Sequence, residues 1–544
     1  MANKDNNHSK YFLTGILAAI FGLVLGASYQ QNFVLGDDSP FPSLSIQRNQ
    51  KVDKILKIVK NNYVDKVNSD SLENLAINEI LGSLDPHSIY LPPVEAKSQS
   101  ESLDGNFEGI GIEYYVINDT LFVTHVRADG PSFKAGLLKG DRIISVESEN
   151  LPPTKLLSEN TIKKLRGKKG SKVFVSILRN NLLVPMKLEI VRDKIIVSSI
   201  DAAFMMKPSI GFIKISKFGA NTEEDFSAEL VKLQAKGMQS LILDFRGNGG
   251  GYLNAATALA DQFLPDGKLI VYTKGLHEQR TDYHATVNGA FEKGKLVVLI
   301  DEGTASASEI FAGAMQDLDR ATIIGRRSFG KGLVQQQFTF GDGSAINLTI
   351  ARYYTPSGRS IQKSYSKGFD AYHEEINHRF EHGEYSSLDS ALKDSVFSSY
   401  THQYKTTLGR IVYGGGGIMP DIFIPIDKAV NNSFYLAISS QTVIPDYVYG
   451  TLTRRFNLKN YASVDEFVNK YTFNDQDFQQ FISFCEANKI TIAKKEVLAA
   501  KPLIIRQIKA LLARYYFNEE GFYKVYNQSD YYIIKAIEKI KNPA

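Results

Sequence analysis

A single cysteine in 544 residues, Cys485, has no partner within the chain. An intramolecular disulfide framework, a cysteine-built zinc knuckle and a CxxC redox site are therefore excluded. In the run FISFCEANK it reads as a buried helical residue. An excess of one charge is also missing. Lys+Arg 63 against Asp+Glu 59 leaves +4, and without a local basic stripe this gives no basis for a nucleic-acid partner. Glycine (41) and proline (17) stay near average usage, against collagen-like and low-complexity chains. No repeat recurs at a period of 20 to 50 residues, so solenoids and propellers are not indicated. With 43% hydrophobic residues the chain is globular and long enough for roughly three or four domains.

A long apolar run occurs in one place. Residues 1–11 are polar and carry Lys4 and Lys10, and an uncharged stretch runs from Phe12 to Ala27. That pattern reads as a signal or an uncleaved membrane anchor with a cytoplasmic tip, which puts the remaining residues outside the cytoplasm. The expected location is the cell envelope on its periplasmic side, attached to the inner membrane or secreted after cleavage.

The rest divides by periodicity. Residues 34–102 carry two helical patterns, one through Val52, Ile55, Val59 and Tyr63 and one through Leu72, Leu75, Ala76 and Ile80, closed by the turn chemistry of LGSLDPHSIYLPP. Residues 103–190 read as short strands with a helical piece at PSFKAG. From 191 to 430 strands alternate with helical runs, the signature of an α/β layer structure. Within that stretch, roughly 364–405 reads as a solvated insert. Residues 431–544 are helical again, with Ile504, Ile508, Leu511, Leu512 and Tyr515 on one stripe.

Several familiar sites fail on one position each. After Gly249 and Gly251 a dinucleotide-binding GxGxxG would need glycine at 254, where Asn254 stands. Gly325 to Lys331 spells G-x-x-x-x-G-K, but Gly332 occupies the place of the magnesium-binding Ser or Thr. His373, His378 and His382 lack HExxH spacing, and His125, His284 and His402 have no local orienting group for a Ser-His-Asp triad. No metal or cofactor is expected.

Three junctions remain where chemistry fits. In LILDFRGNGGGYLNAA a strand runs into glycines whose N–H groups can converge on an anion. In LIDEGTASASEIFAGAMQDL a strand ends at Asp301 and a helix starts near Ser306; that serine is either an N-cap or a nucleophile whose oxyanion would meet the N–H of Ala307. Lys331 is either a surface lysine or, in a dry pocket that lowers its pKa, a general base, with Gln335 on the same side of an extended segment to hold the amine.

TASASEIFAGAMQD, SFGKGLVQ, LDFRGNGGG and TPSGRSIQ resemble the signature segments of the C-terminal processing peptidases, or tail-specific proteases, over about residues 45–430. The resemblance implies a Clp-protease/crotonase-like α/β core with an inserted PDZ domain at 103–190, between an N-terminal helical segment and a C-terminal helical extension. It implies serine endopeptidase activity with Ser306 as nucleophile, Lys331 as base, Gln335 as orienting residue, and Ala307 with Gly251, or next Gly250, as oxyanion donors. In the strand-rich segment, FEGIGIEYY resembles a PDZ carboxylate-binding loop, so that Ile110, Gly111 and Ile112 would hold a peptide's terminal carboxylate. Partners implied are proteins or peptides with accessible C-terminal tails, the membrane through the N-terminal segment, and a homo-oligomer or regulatory adaptor. The competing reading is a catalytically silent PDZ scaffold that recruits tails to an envelope complex.

Overall fold

The computed structural model describes residues 51–117, 120–150, 163–179, 184–286, 289–393, 402–456, 458–491 and 493–542. The anchor or signal expected within 1–33 lies outside them. Among the described residues no helix is long and apolar enough to cross a membrane. The chain divides into two units, Met1–Leu75 and Ala76–Ala544. The helix Lys51–Asn62 of the first unit buries none of its residues.

In the second unit the central sheet runs, edge to edge, through Ile200–Lys207, Ile210–Ile215, Ser240–Asp244, Lys295–Ile300, Thr322–Gly325 and Ile422–Phe423. The first pair is antiparallel and every later pair is parallel. Its inner strands are apolar throughout because both faces are covered, as expected where helices connect parallel strands. Leu241, Leu243, Val298 and Ile300 face the helices Thr222–Ala235, Leu253–Asp261 and Ala307–Asp317, which contribute Phe226, Leu259, Phe311 and Met315, with Phe263 just past the second of them. Phe212, Ile242, Val297 and Leu299 face the opposite way and meet Tyr532, Ile533, Ala536 and Ile540 of the helix Tyr531–Lys541. Burial of Ile533 and Ile540 contributes about 1.5–3 kcal/mol each. The last helix of the chain is thus one wall of the sheet.

The strand-rich segment enters through Asn106–Gly109 and leaves through Asp193–Ile196, and these two strands pair antiparallel with each other. Between them Ile112–Ile117, Thr120–Val126, Arg142–Val146, Lys172–Leu178 and Met186–Val191 form an antiparallel sheet over a core of Leu121, Val123, Ile143, Val175 and Ile190. A second sheet joins Ile89–Leu91, Ala345–Tyr354, Leu269–Lys274 and Thr281–His284, with Leu333–Thr339 paired to Ala345–Tyr354.

The C-terminal helices have their own core, in which Phe434, Tyr447, Phe467, Phe481, Ile504, Ile508 and Leu512 pack with Ile117 and Phe122 of the strand-rich segment. All five residues of the expected stripe are buried, as is Cys485 within the helix Asp475–Ala487. The insert departs from the sequence-based expectation. Its helix Phe369–Glu381 is not a solvated appendage: Tyr372, Glu375 and Arg379 are buried, with Glu384 and Tyr385 just beyond. The reason is pairing with distant residues, since Arg327 binds Glu384 at 2.6 Å and Arg379 donates to the Ser328 carbonyl at 2.8 Å, while Lys363 and Arg379 both bind Glu375.

Candidate active site

The strand Lys295–Ile300 delivers the chain to a tight loop that is closed on its neighbour before Ser306 is reached. Thr304 Oγ1 donates to the Phe245 carbonyl (2.9 Å), and Ala305 N–H donates to the Asn248 carbonyl (3.0 Å). Ser306 then adopts φ 55°, ψ −116°, a left-handed backbone for a residue with a side chain. Such a conformation costs about 1–3 kcal/mol and persists only where its surroundings fix it. Here Ser306 N–H donates to Glu309 Oε2 (2.8 Å), and the Tyr353 hydroxyl reaches the Ser306 carbonyl (3.0 Å). Ser306 heads the helix Ala307–Asp317 in a capping box with Glu309, whose N–H donates to the Ser306 carbonyl (2.8 Å) and whose carboxylate takes the serine N–H. The hydroxyl proton of Ser306 has no acceptor among the described residues.

Glu309 is fully buried and ties the serine to the lysine loop. Its Oε1 accepts from Gly330 N–H (2.7 Å) and Ser328 Oγ (2.5 Å), and Oε2 accepts from Lys331 N–H (2.9 Å) as well as from Ser306. Burial lifts its carboxyl to about 7, against the pull of those four donors. Tyr353, 1% exposed, adds a second tie, its hydroxyl 2.6 Å from the Lys331 carbonyl. Neither residue is among those singled out from the sequence. For Glu309 a signal exists, a glutamate three positions after a serine N-cap. Tyr353 sits in a strand 22 residues past Lys331 and leaves no local signature.

Lys331 itself is held below the ordinary lysine range by burial, with Glu309 and Asp85 pulling weakly the other way. Its Nζ has no acceptor among the described residues. Asp85, from the turn LDPHS, anchors the surroundings: its carboxylate accepts from Ser88 Oγ (2.6 Å) and Thr349 Oγ1 (3.1 Å). Next to it His87 is pushed down to about 3, first by burial and then by Lys331, and its Nε2 lies 2.8 Å from the Tyr372 hydroxyl. The imidazole is neutral throughout the physiological range. Gln335 stands in the strand Leu333–Thr339, but its amide donates to Thr349 Oγ1 (3.2 Å) rather than to the lysine. The pairing register with the next strand shifts between Val334 and Gln335, which breaks the strict alternation expected from Lys331 to Gln335.

The glycine loop closes the other side. A Cβ on Gly250 would lie 2.8 Å from Ser306 Cβ, and one on Gly251 (φ 148°) would lie 2.0 Å from the Phe218 carbonyl oxygen, so both positions require glycine. Gly250 N–H is already committed to Asn248 Oδ1 (2.9 Å). The N–H groups of Gly251 and Ala307 donate to nothing among the described residues. Of the three donors expected from the sequence, these two remain open, and Ala307 adds the positive end of its helix. Ser306, Lys331, Gln335, Gly250 and Gly251 line one cavity of about 700 Å³, floored by Ile310 and Leu333.

Ile110, Gly111 and Ile112 lie elsewhere, at the head of the strand Ile112–Ile117. The Ile110 carbonyl is fixed by Ser132 N–H (3.1 Å) and Oγ (2.6 Å), and Gly111 takes φ 73°. Among the described residues the strand is paired on one side, with Thr120–Val126, leaving its other edge open.

Residues 209–370 match the model of peptidase family S41, 109–190 that of the PDZ domain, and 434–518 a family of unknown function, DUF8443. The carboxy-terminal processing protease CtpB of Bacillus subtilis is 36% identical over 58% of this chain and 65% of its own length. A carboxy-terminal-processing protease of Bartonella bacilliformis is 34% identical over 65% of this chain and 79% of its own. A solved photosystem II D1 C-terminal processing protease aligns with 57% of this chain and 83% of its own at 28% identity and TM-score 0.33, a superposition too loose to add weight.

Proposed function

The chain belongs to the carboxy-terminal processing proteases of peptidase family S41, and from that premise we propose that it cleaves proteins selected by their C-terminal tails, with Ser306 and Lys331 as a catalytic dyad. One observation carries this reading: a serine hydroxyl whose proton has no acceptor, a half-buried lysine without an acceptor among the described residues and the uncommitted N–H of Gly251 border a single cavity, with the uncommitted N–H of Ala307 next to the serine in the chain. A tail adds as a strand to the open edge of Ile112–Ile117, its carboxylate received by the N–H groups at Ile110, Gly111 and Ile112.

In the cavity, neutral Lys331 removes the proton from Ser306 Oγ as that oxygen attacks the scissile carbonyl. The oxyanion takes hydrogen bonds from Gly251 and Ala307 N–H. Lysine returns the proton to the leaving amine as the C–N bond breaks, and an acyl-serine remains. Water then adds to the ester carbon, passing a proton to Lys331, which returns it to Ser306 Oγ as the ester C–O bond breaks, and the product leaves with a new C-terminal carboxyl group that ionises in water. Glu309 and Tyr353 hold the two loops in register. The Lys4/Lys10 pattern ahead of an uncharged stretch supports a site of action outside the cytoplasm at the membrane, which fractionation and external protease accessibility of the full chain would test.

Ser306→Ala and Lys331→Ala, assayed on an unfolded protein with an apolar C-terminus, are expected to abolish turnover and retain tail binding. Wild-type protein that binds tails without cleaving them would favour the scaffold reading instead.

A further inference from the structure

The loops that carry the oxyanion glycine and the base each begin with an arginine five residues upstream: Arg246 before Gly251, and Arg326 before Lys331. Both arginines turn away from the cavity toward the far end of the chain. Arg246 is held by Asp244, and its Nη1 donates to Asp530 Oδ2 at 2.6 Å, while its guanidinium lies 4.6 Å over the Tyr532 ring. Arg326 pairs with Glu302 at 2.8 and 2.9 Å, and its Nη1 donates to the Tyr532 hydroxyl. Asp530 and Tyr532 are themselves joined, since Asp530 Oδ1 caps the last helix by accepting Tyr532 N–H (3.0 Å). Asp530 is 5% and Tyr532 8% exposed, so these bonds are little weakened by water.

We propose that Asp530 and Tyr532 are positioning residues for the dyad, clamping the oxyanion loop and the lysine loop from behind at a fixed separation. The inference rests on the serine-peptidase reading above. On the cavity side the serine loop lies between them, bonded to one through Ala305 N–H and the Asn248 carbonyl and to the other through Phe329 N–H and the Thr304 carbonyl (2.9 Å). The Asp530–Tyr532 pair closes the same ring at the back. A shift of about 1 Å in either loop is enough to lose about a hundredfold in rate. The C-terminal helix therefore belongs to the catalytic apparatus, although it touches no substrate.

Two variants keep the packing and remove one bond each. Asp530→Asn still caps the helix but loses the charge facing Arg246, and Tyr532→Phe keeps the stacked ring but loses the hydroxyl. Lys295→Met is the control: Lys295 Nζ donates to the Ile540 carbonyl (2.6 Å), and its loss loosens the same helix at its other end, away from the arginines. The full chain is assayed for peptide turnover and for labelling of Ser306 by a fluorophosphonate, with melting temperature recorded for each variant. Asp530→Asn and Tyr532→Phe are expected to lower kcat and the labelling rate about tenfold with KM changed less than about twofold, and Lys295→Met to leave kcat within about twofold. Wild-type kcat in both variants, or an equal fall in Lys295→Met, overturns the inference. Undiminished turnover in Ser306→Ala overturns instead the reading on which it rests.

Discussion

The loop Arg327–Lys331 joins a buried polar cluster to a half-buried one, and the two use charge in opposite ways. Behind the loop, Arg327, Lys363 and Arg379 share Glu375 and Glu384 at 2.6–3.5 Å, so each cation has an anion. In front, among the described residues, Lys331 Nζ has no anion bonded to it, the Ser306 hydroxyl proton has no acceptor, and two N–H groups stand free. Burial penalises both clusters. In the first, pairing offsets the penalty and yields rigidity; in the second the penalty remains and is what makes an amine a base. The paired cluster is scaffold and the unpaired one is chemistry.

The contrast is sharpest in substitutions that take away one charge. Lys331→Met removes a half-buried amine with no bonded partner among the described residues, and is expected to reduce turnover at least about a thousandfold while leaving the melting temperature unchanged or higher. Glu375→Gln strips the shared anion from three cations and should destabilise the protein by about 3–5 kcal/mol in denaturant titration. A melting temperature that falls more for Lys331→Met than for Glu375→Gln would erase the distinction.

The two glutamates also predict opposite pH dependences. Glu375 is depressed to about 2, burial being outweighed by Arg379, Lys363 and Arg327, so its contribution to stability is present above the unfolded carboxyl range and is lost as pH falls through about 2. Glu309 is raised to about 7, so the folded state holds a proton that the unfolded state releases, and stability declines as pH rises from about 4.5 to about 7. Glu309→Gln should flatten that decline in melts across the window and, by turning an acceptor into a donor facing N–H groups, lower turnover. The smallest effect belongs to Gln335→Ala. Its amide bonds Thr349, not the lysine, so the loss is that of one hydrogen bond, at most about tenfold in kcat.

Local pattern made much of this visible in the sequence. Alternating apolar runs mark the central strands, and Ser306 and Lys331 stand out because a strand-to-helix junction and a glycine-flanked lysine are local features. What stayed hidden depends on partners far along the chain. HEEINHRFEH looks solvated because Glu375 and Arg379 appear as bare charges until Lys363, Ser328 and Arg327 are brought to them. The ribbon of Asn106–Gly109 with Asp193–Ile196 pairs strands more than 80 residues apart, beyond any periodicity. The glycine run offers Gly251 first and Gly250 next as oxyanion donor, and the bond from Gly250 N–H to Asn248 separates them.

The central claim is that Lys331 works as a neutral base beside an imidazole, His87, that stays uncharged. The direct measurement is kcat/KM for a tail-bearing substrate from pH 5 to 10. With burial lowering the Lys331 pKa, activity should climb from neutral into the alkaline range with no inflection near 6.5. A rise centred near 6.5 that levels off by about pH 7.5, or a flat profile, would contradict it.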